Sequence, residues 1–286
     1  DRKLRTLFVD VESTIDSDWA AANGVDTELM DVVSPWSAEM TIDVVQAAIM
    51  EDQYDLYIID SLAMMIPMKE YDESAEDRTM ATNTLQARVI NAGLKKWVAA
   101  CNYNSWKTED NRKPTVIMIN HTHTSMNMYG DNWVTPGGLG QDFCSSMDVR
   151  LERKAVLTDK GEVKALFALD LDKETGREKK GNTVADFVQF LIQKNKASQS
   201  NVAGQFYIFT SDDTDHNHKV GDVLATDFLF ELAVENGFII KKDKAYTIKT
   251  TDEALASKIE ESKEILSKNP EAVIVLEKQL LDSIRQ

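Results

Sequence analysis

The alternation of short apolar runs with helical patterns in the first half of the chain is the feature that most constrains the fold. Four runs are typical of strands, at residues 6–9, 31–34, 56–60 and 115–120. Between the second and third runs, apolar residues recur at helical spacing, at Ile42, Val45 and Ile49. A longer stripe precedes the fourth run and consists of Ala87, Ile90, Leu94, Trp97, Val98 and Cys101. Both connections are long enough for right-handed crossovers, so the pattern predicts an α/β fold with a parallel sheet.

The second half of the chain has a different pattern. After Asp148, closely spaced strand-like segments joined by turn signals predict antiparallel strands that extend the parallel sheet. From Gly221 onward the pattern predicts a helix over 227–236, a hairpin through 242–244 and two amphipathic helices, the second beginning at Asn269 and Pro270. We therefore predict a core domain over 1–220 and a small, mainly helical α/β domain over 221–286.

Composition excludes some classes of protein. The 286 residues carry 48 acidic and 32 basic side chains, a formal net charge of −16, which argues against a surface coated entirely by nucleic acid but not against a local groove. Two cysteines, Cys101 and Cys144, are too few for a disulfide framework, and we expect reduced thiols in a cytoplasmic protein. No signal-peptide pattern or run of roughly 18 apolar residues predicts a membrane segment.

Polar residues follow three of the predicted strands where those strands end. They are Asp10 and Glu12 after the first, Asp60 and Ser61 at the end of the third, and Asn120 and His121 at the end of the fourth. Ligands of open parallel sheets bind beyond the carboxyl ends of the strands. An apolar run that ends in Asp-Ser suits a nucleotide hydrolase, in which Asp60 reaches Mg²⁺ directly or through its waters and Glu12 is the base that positions a water. For any one of these acids alone, a capping or solvated strand end is the alternative.

The phosphate loop that such a hydrolase needs is not found in the chain. The nearest match, "GREKKGNT" at residues 176–183, has Asn182 at the lysine position and leads into a strand-like segment, whereas a phosphate loop must open a helix. Because the chain begins at Asp1, almost inside a strand, we expect this loop to lie upstream. Without it, we expect this chain alone to be inactive.

Four motifs together carry a resemblance to a known family. "LFVDVESTIDSDWAAANGVDTE", "DLYIIDSLAMMIP", "VIMINHTHTSMNMYGDNWVTPGGLGQDF" and "FLIQKNKA" resemble, in order and spacing, the RecA family of DNA strand-exchange recombinases. The sequence looks closer to divergent phage-type members than to the bacterial housekeeping proteins, and the resemblance extends from Leu7 to about Tyr246. It implies a RecA-like P-loop NTPase core that uses ATP and Mg²⁺.

The resemblance also implies roles for the strand-end residues. Glu12 falls at the catalytic glutamate, and Asp60 falls at the Walker B aspartate with Ser61 beside it at the nucleotide. Asp16 and Trp19 fall at adenine-contacting positions, with helix-face packing as the alternative for Trp19. Asn120 and His121 fall at the Asn-Gln pair that senses the γ-phosphate. His121 replaces glutamine there and adds a titratable group. The alternative is a histidine at a strand end whose hydrogen bonds are satisfied and which has no functional role.

Two further segments correspond to the DNA-binding loops of the family. Residues 122–136 resemble the second loop, with Tyr129 and Trp133 placed to stack on bases before Gly137 and Gly138. The first loop would be residues 69–78, "KEYDESAEDR", which is strongly acidic, so only Arg78 is carried over.

Two lysines, Lys194 and Lys196, match the pair that reaches across to the ATP of a neighbouring subunit in RecA filaments. There they would neutralise charge that develops on the phosphate, as an arginine finger does. Two solvated lysines at a strand end are the alternative.

A last cluster lies outside the resemblance. "SDDTDHNH" at residues 211–218, and the His-x-His of His121 and His123, have side chains that can bind metals. Neither supplies a full ligand set, and we expect a solvated acidic loop.

The predicted function is an ATP-dependent recombination protein that forms helical filaments on single-stranded DNA and promotes pairing and strand exchange with double-stranded DNA. Mediator and single-strand-binding proteins are possible partners. One alternative is another ATPase on the same core, a hexameric helicase or a recombination mediator. The other is a non-catalytic DNA-binding paralogue, favoured by the absent phosphate loop and the acidic first loop.

Overall fold

The computed structural model describes residues 3–71, 80–108, 111–124, 133–159, 163–165, 182–212, 219–224, 226–267 and 269–284. The chain divides into two compact units, Asp1–Ser146 and Met147–Gln286, here called the first and the second unit. Among the described residues, no helix has both the length and the apolar character that a bilayer crossing requires.

The first unit is built on a parallel sheet of four strands. These are β1 (Thr6–Asp10), β2 (Met30–Val33), β3 (Leu56–Asp60) and β4 (Thr115–Met118), in the order β2-β1-β3-β4. The helices are α1 (Ser17–Ala22), α2 (Ala38–Met50), α3 (Met68–Tyr71), α4 (Met80–Lys107) and α5 (Gly140–Cys144). Two short strands, β5 (His123–Thr124) and β6 (Trp133–Val134), pair with each other in antiparallel fashion. The predicted α/β class with a parallel sheet is confirmed.

Helices α2 and α4 cover one face of this sheet and form the main core with it. The predicted stripe of α2 is buried, and so are Ile90, Leu94 and Trp97 of α4. Val98 is exposed, contrary to the predicted stripe, because it lies about 100° around the helix from Trp97. The two helices pack closely because Gly93 leaves room for Ile42: a Cβ at Gly93 would lie 2.4 Å from Ile42 Cγ1.

The second unit contains the antiparallel strands, which hydrogen-bond to one another in a five-stranded sheet. These are β7 (Met147–Thr158), β8 (Val163–Ala165), β9 (Thr183–Asn195), β10 (Val202–Phe209) and β11 (Val223–Leu224), in the order β11-β10-β9-β7-β8. The turn signals along this part of the sequence favour such pairing between neighbours in the chain.

The remainder of the second unit combines helices with a small sheet. It contains α6 (Thr226–Glu235), β12 (Ile239–Lys242), β13 (Ala245–Ile248), β14 (Glu253–Ala254), α7 (Ile259–Ser267) and α8 (Pro270–Ile284). The predicted hairpin turns at Asp243 and Lys244, both with positive φ. Asn269 caps α8, because its Oδ1 accepts a hydrogen bond of 3.1 Å from Ala272 N. A hydrophobic cluster over 229–280 is separate from the cluster of Val184, Ala185 and Phe209. The predicted domain boundary near Gly221 stays a prediction.

Candidate active site

Three strand ends meet at the carboxyl edge of the parallel sheet. Asp10 and Asp60 are register partners at the ends of β1 and β3, and Val11 N donates to Asp60 O at 2.7 Å. On the other side of β3, Leu62 N donates to Ile119 O at 2.9 Å. The segment after β4 therefore runs beside Ser61, and the side chains that follow the three strands lie close together.

Glu12 is the centre of this edge. Its Oε1 accepts a hydrogen bond of 2.5 Å from Ser61 Oγ and lies 3.0 Å from His121 Nε2. Ser61 is fully buried, whereas the side chains of Glu12 and His121 are 24% and 63% exposed. The hydrogen bond from Ser61 and then that from His121 lower the pKa of Glu12, against a smaller effect of burial. Glu12 is therefore held as an ionised carboxylate, which is the form that a general base requires.

Asp60 lies among like charges. Burial raises the pKa of its carboxyl group, and the charges of Glu12 and Asp10 raise it further. Asp10 itself is buried and accepts hydrogen bonds from Thr14 N at 3.1 Å and Ile15 N at 3.0 Å, so its carboxylate shapes the turn after β1. A bound cation would relieve the repulsion on Asp60, and the all-oxygen chemistry of these side chains fits Mg²⁺.

Few side chains of the described residues are placed to coordinate such a cation. Within the described parts of the chain, no group of three or more histidine, cysteine, aspartate or glutamate side chains is arranged to hold a metal ion. This is compatible with Mg²⁺ that is bound through one carboxylate, waters and substrate phosphates. Of the acidic loop at 211–218, residues 213–218 lie outside the described residues.

Asp16 and Trp19 lie at the start of α1. Asp16 is the N-cap, and its Oδ1 accepts hydrogen bonds from Asp18 N at 2.8 Å and Trp19 N at 3.0 Å. The indole of Trp19 is about half exposed, with a relative exposure of 46%, so Trp19 is not a core residue. Their predicted contacts with adenine stay predictions.

Asn120 connects the end of β4 to the predicted second loop. Its Nδ2 donates to Pro136 O at 2.8 Å and to Gln141 Oε1 at 2.7 Å, while its Oδ1 accepts from His121 N at 2.9 Å. Gly137 and Gly138 adopt φ values of +92° and +75°, which favour glycine, and they turn the chain into α5. Asn120, the residue that precedes His121, is thus bonded both to the backbone of His121 and to the end of segment 122–136.

Two glutamines contribute to this edge without having been predicted from the sequence. Gln141 bonds Asn120, and Gln86 donates from α4 to Ala63 O at 2.9 Å and Met65 O at 3.0 Å, which holds the segment after β3. The sequence signal that could have identified Gln141 is its position just after the turn at Gly137 and Gly138. No local pattern marks Gln86, because its partners are more than twenty residues away in the chain.

The predicted DNA contacts fall partly on residues that the structure does not describe. Arg78 and Tyr129 lie outside the described residues. Trp133 lies in β6, opposite Thr124 of β5. Their roles, and those of Gly137 and Gly138 toward DNA, stay predictions.

Lys194 and Lys196 lie at the end of β9 in the second unit. Lys194 is the register partner of Asp148 in β7, and between the lysines Asn195 Oδ1 accepts hydrogen bonds from Ala197 N at 2.9 Å and Ser198 N at 3.2 Å. The lysines therefore flank a side-chain-stabilised turn. Their reach to a neighbouring nucleotide stays a prediction.

The fold and the site together define an α/β protein with a cluster of carboxylates at the carboxyl edge of a parallel sheet, the edge at which such folds bind ligands. Residues 2–195 match the model of the RecA N-terminal domain, which covers more than half of the chain. The chain belongs to the RecA family.

Similar curated proteins agree with this membership. Protein RecA of Nocardioides sp. is 26% identical over 278 residues, which are 97% of this chain and 67% of that protein. Protein RecA of Streptomyces rimosus is 25% identical over the same share of this chain and 63% of its own length, and that of Fusobacterium nucleatum is 28% identical over 62% of its own length. The chain thus spans about two thirds or less of these relatives. Its predicted closeness to phage-type members stays a prediction.

Proposed function

We propose that the protein is an ATP-dependent DNA recombination and repair protein that forms helical filaments on single-stranded DNA and promotes pairing and strand exchange with double-stranded DNA. The observation that carries the proposal is the arrangement around Glu12. An ionised glutamate, hydrogen-bonded by Ser61 and His121, lies at the carboxyl edge of the sheet beside Asp60. A base next to a site for a nucleotide-bound cation is what ATP hydrolysis requires.

In this proposal each residue at the edge has one chemical task. Glu12 accepts the proton of the water that attacks the terminal phosphorus. Asp60 holds Mg²⁺ directly or through water, and this cation, when bound, neutralises charge on the phosphates. Asp16 and Trp19 contact the adenine, and Lys194 and Lys196 bring positive charge to the nucleotide of a neighbouring copy.

Coupling to DNA is proposed to run from His121 through Asn120 to segment 122–136. His121 bonds Glu12, and the adjacent Asn120 bonds Pro136 at the end of that segment. A change at the γ-phosphate that moves His121 therefore acts on the loop that carries Tyr129 and Trp133. Those aromatic side chains stack on bases without regard to sequence, and Arg78 contacts phosphate. Mediator and single-strand-binding proteins are further proposed partners, with the cytoplasm as the compartment.

Self-association is supported by apolar side chains on the surface of α5 and its start. Leu139 and Phe143 are 72% and 77% exposed. Large apolar side chains grouped at a surface are typical of protein contacts. We propose that this surface contacts a second copy of the chain.

The test uses the full-length gene product with single-stranded DNA and Mg²⁺·ATP. We expect DNA-stimulated ATP hydrolysis and helical filaments in electron micrographs. Glu12→Gln is expected to lower kcat by about a hundred-fold or more while filaments still form on DNA with ATP. DNA binding without any hydrolysis by the wild type would favour the non-catalytic paralogue, and closed rings would favour a helicase.

A further inference from the structure

Both hydrogen bonds to Glu12 end on the same carboxylate oxygen. Ser61 Oγ lies 2.5 Å and His121 Nε2 lies 3.0 Å from Oε1. Among the side chains and backbone groups that the structure describes, none donates to Oε2. The two oxygens of this carboxylate therefore differ in their hydrogen bonding, and Oε2 is the oxygen that remains able to accept a proton.

The two partners of Oε1 differ in how firmly they are held. Ser61 is fully buried, and hydrogen bonds fix the backbone on both sides of it. Val11 N donates to Asp60 O at 2.7 Å, and Leu62 N donates to Ile119 O at 2.9 Å. His121 is mostly exposed and follows the end of β4. Ser61 is thus the rigid partner, and His121 is the one that can move.

The hydrogen-bonding capacity of serine limits what else Ser61 can do. A hydroxyl can donate one hydrogen bond, and here Ser61 donates it to Glu12. Phosphate oxygens are acceptors, so Ser61 would have to release Glu12 before it could bond a phosphate. The hydrogen bond to Glu12 therefore argues against the contact between Ser61 and the nucleotide that the position of Ser61 beside Asp60 predicts.

We propose that Ser61 is a positioning residue that acts through Glu12: it fixes Oε1 so that Oε2 faces the attacking water, and it does not bind the nucleotide. This inference rests on the proposed function, because it presupposes that Glu12 is the base in ATP hydrolysis. It assigns a new role to a buried hydroxyl and identifies the reactive oxygen of the base.

The test separates turnover from nucleotide binding in the full-length gene product. Ser61→Ala is expected to lower kcat by about ten- to hundred-fold, the scale of one hydrogen bond to a charged group. The dissociation constant for a fluorescent ATP analogue is expected to stay within about two-fold, because no nucleotide contact is lost. A dissociation constant that rises by as much as kcat falls would overturn the inference.

A double-mutant cycle shows whether Ser61 acts only through Glu12. In a Glu12→Ala background, Ser61→Ala is expected to cause no further loss of the residual rate, and additive losses would contradict the proposal. Ser61→Thr keeps the hydroxyl, so it should retain more of kcat than Ser61→Ala does. Thermal melting checks that each variant is folded, including the Thr variant with its added buried methyl group.

These outcomes distinguish the inference from the proposed function. A wild-type protein that does not hydrolyse ATP would refute the proposed function, and with it this role of Ser61. A wild type that hydrolyses ATP, together with a Ser61→Ala variant of unchanged kcat, would refute the role of Ser61 alone.

Discussion

At the scale of single residues, the ionisation state of Glu12 and Asp60 depends on their immediate neighbours. Ser61 and His121 lower the pKa of Glu12, whereas burial and nearby carboxylates raise that of Asp60. Two carboxyl groups at one sheet edge are thus shifted in opposite directions, which is typical of sites where acids have different tasks.

The pH dependence of hydrolysis tests the state of Glu12. A protonated Glu12 cannot accept a proton, so kcat must fall as the pH drops through the pKa of Glu12. His121→Ala removes a hydrogen bond that lowers this pKa, so we expect the acid limb of the kcat–pH profile to move to higher pH. His121→Gln keeps a donor and is the matched control, for which we expect a smaller displacement. An acid limb that moves to lower pH in His121→Ala would contradict this account.

Substitution of Asp60 should separate stability from activity. Because the folded state raises the pKa of Asp60, its ionised form is disfavoured in the folded protein at neutral pH. Asp60→Asn removes this charge, so we expect the melting temperature without nucleotide to be equal or higher, while Mg²⁺-dependent hydrolysis is lost. A calorimetric scan and an ATPase assay measure the two effects. A melting temperature several degrees lower would show that Asp60 stabilises the fold.

At the scale of secondary-structure elements, the contact of α2 with α4 depends on a glycine. Gly93 faces Ile42, and Trp97 Nε1 and Asn104 Nδ2 of α4 donate to Ile42 O at 3.0 Å and Ile49 O at 2.9 Å in α2. These bonds hold the helices together side by side. They also hold α4 in place to support the segment after β3 through Gln86.

Gly93→Ala is expected to destabilise the protein, although alanine favours helix by about 1 kcal/mol. The new Cβ would lie 2.4 Å from Ile42 Cγ1 in a buried contact, and overpacking of this kind costs about 1–3 kcal/mol. Urea denaturation measures the change in unfolding free energy. Ile42→Ala removes both Cγ1 and Cδ1, so Gly93→Ala should cost less unfolding free energy in the Ile42→Ala background than in the wild type. Stabilisation by Gly93→Ala alone would show that α2 and α4 separate easily.

At the scale of the whole molecule, the net charge of −16 and the exposed apolar side chains have different consequences. Two copies that each carry this negative charge repel each other in solution. Leu139 and Phe143 offer a surface on which copies can meet. We expect assembly to depend on that surface.

Phe143→Asp tests the surface of α5. Because Phe143 is mostly exposed, we expect little change in melting temperature but shorter and fewer filaments on single-stranded DNA with ATP. Light scattering and electron microscopy measure filament formation. Trp106→Asp changes an equally exposed aromatic residue of α4 and serves as the matched control. Filaments of normal length in Phe143→Asp would exclude this surface from the contact.

Much of the parallel sheet was predictable from the sequence because strand and helix periods are local properties. The strand over 56–60 is observed as β3, and the helical stripes of α2 and α4 are largely buried as predicted. The fourth predicted strand is too long: β4 ends at Met118, and the side chain of Asn120 bonds Pro136 and Gln141. A run of apolar residues does not show at which residue a strand stops hydrogen-bonding to its neighbour.

The sequence by itself determined that Glu12, Asp60 and His121 lie at one edge, because the carboxyl ends of parallel strands must share an edge. Only the tertiary structure decided that Ser61 and His121 share Oε1 of Glu12, and that Gln141 and Gln86 hold the adjoining segments. Strand order and register fix the distances between such side chains. Both depend on contacts between residues that are far apart in the chain. The periodic pattern of one element carries no information about them.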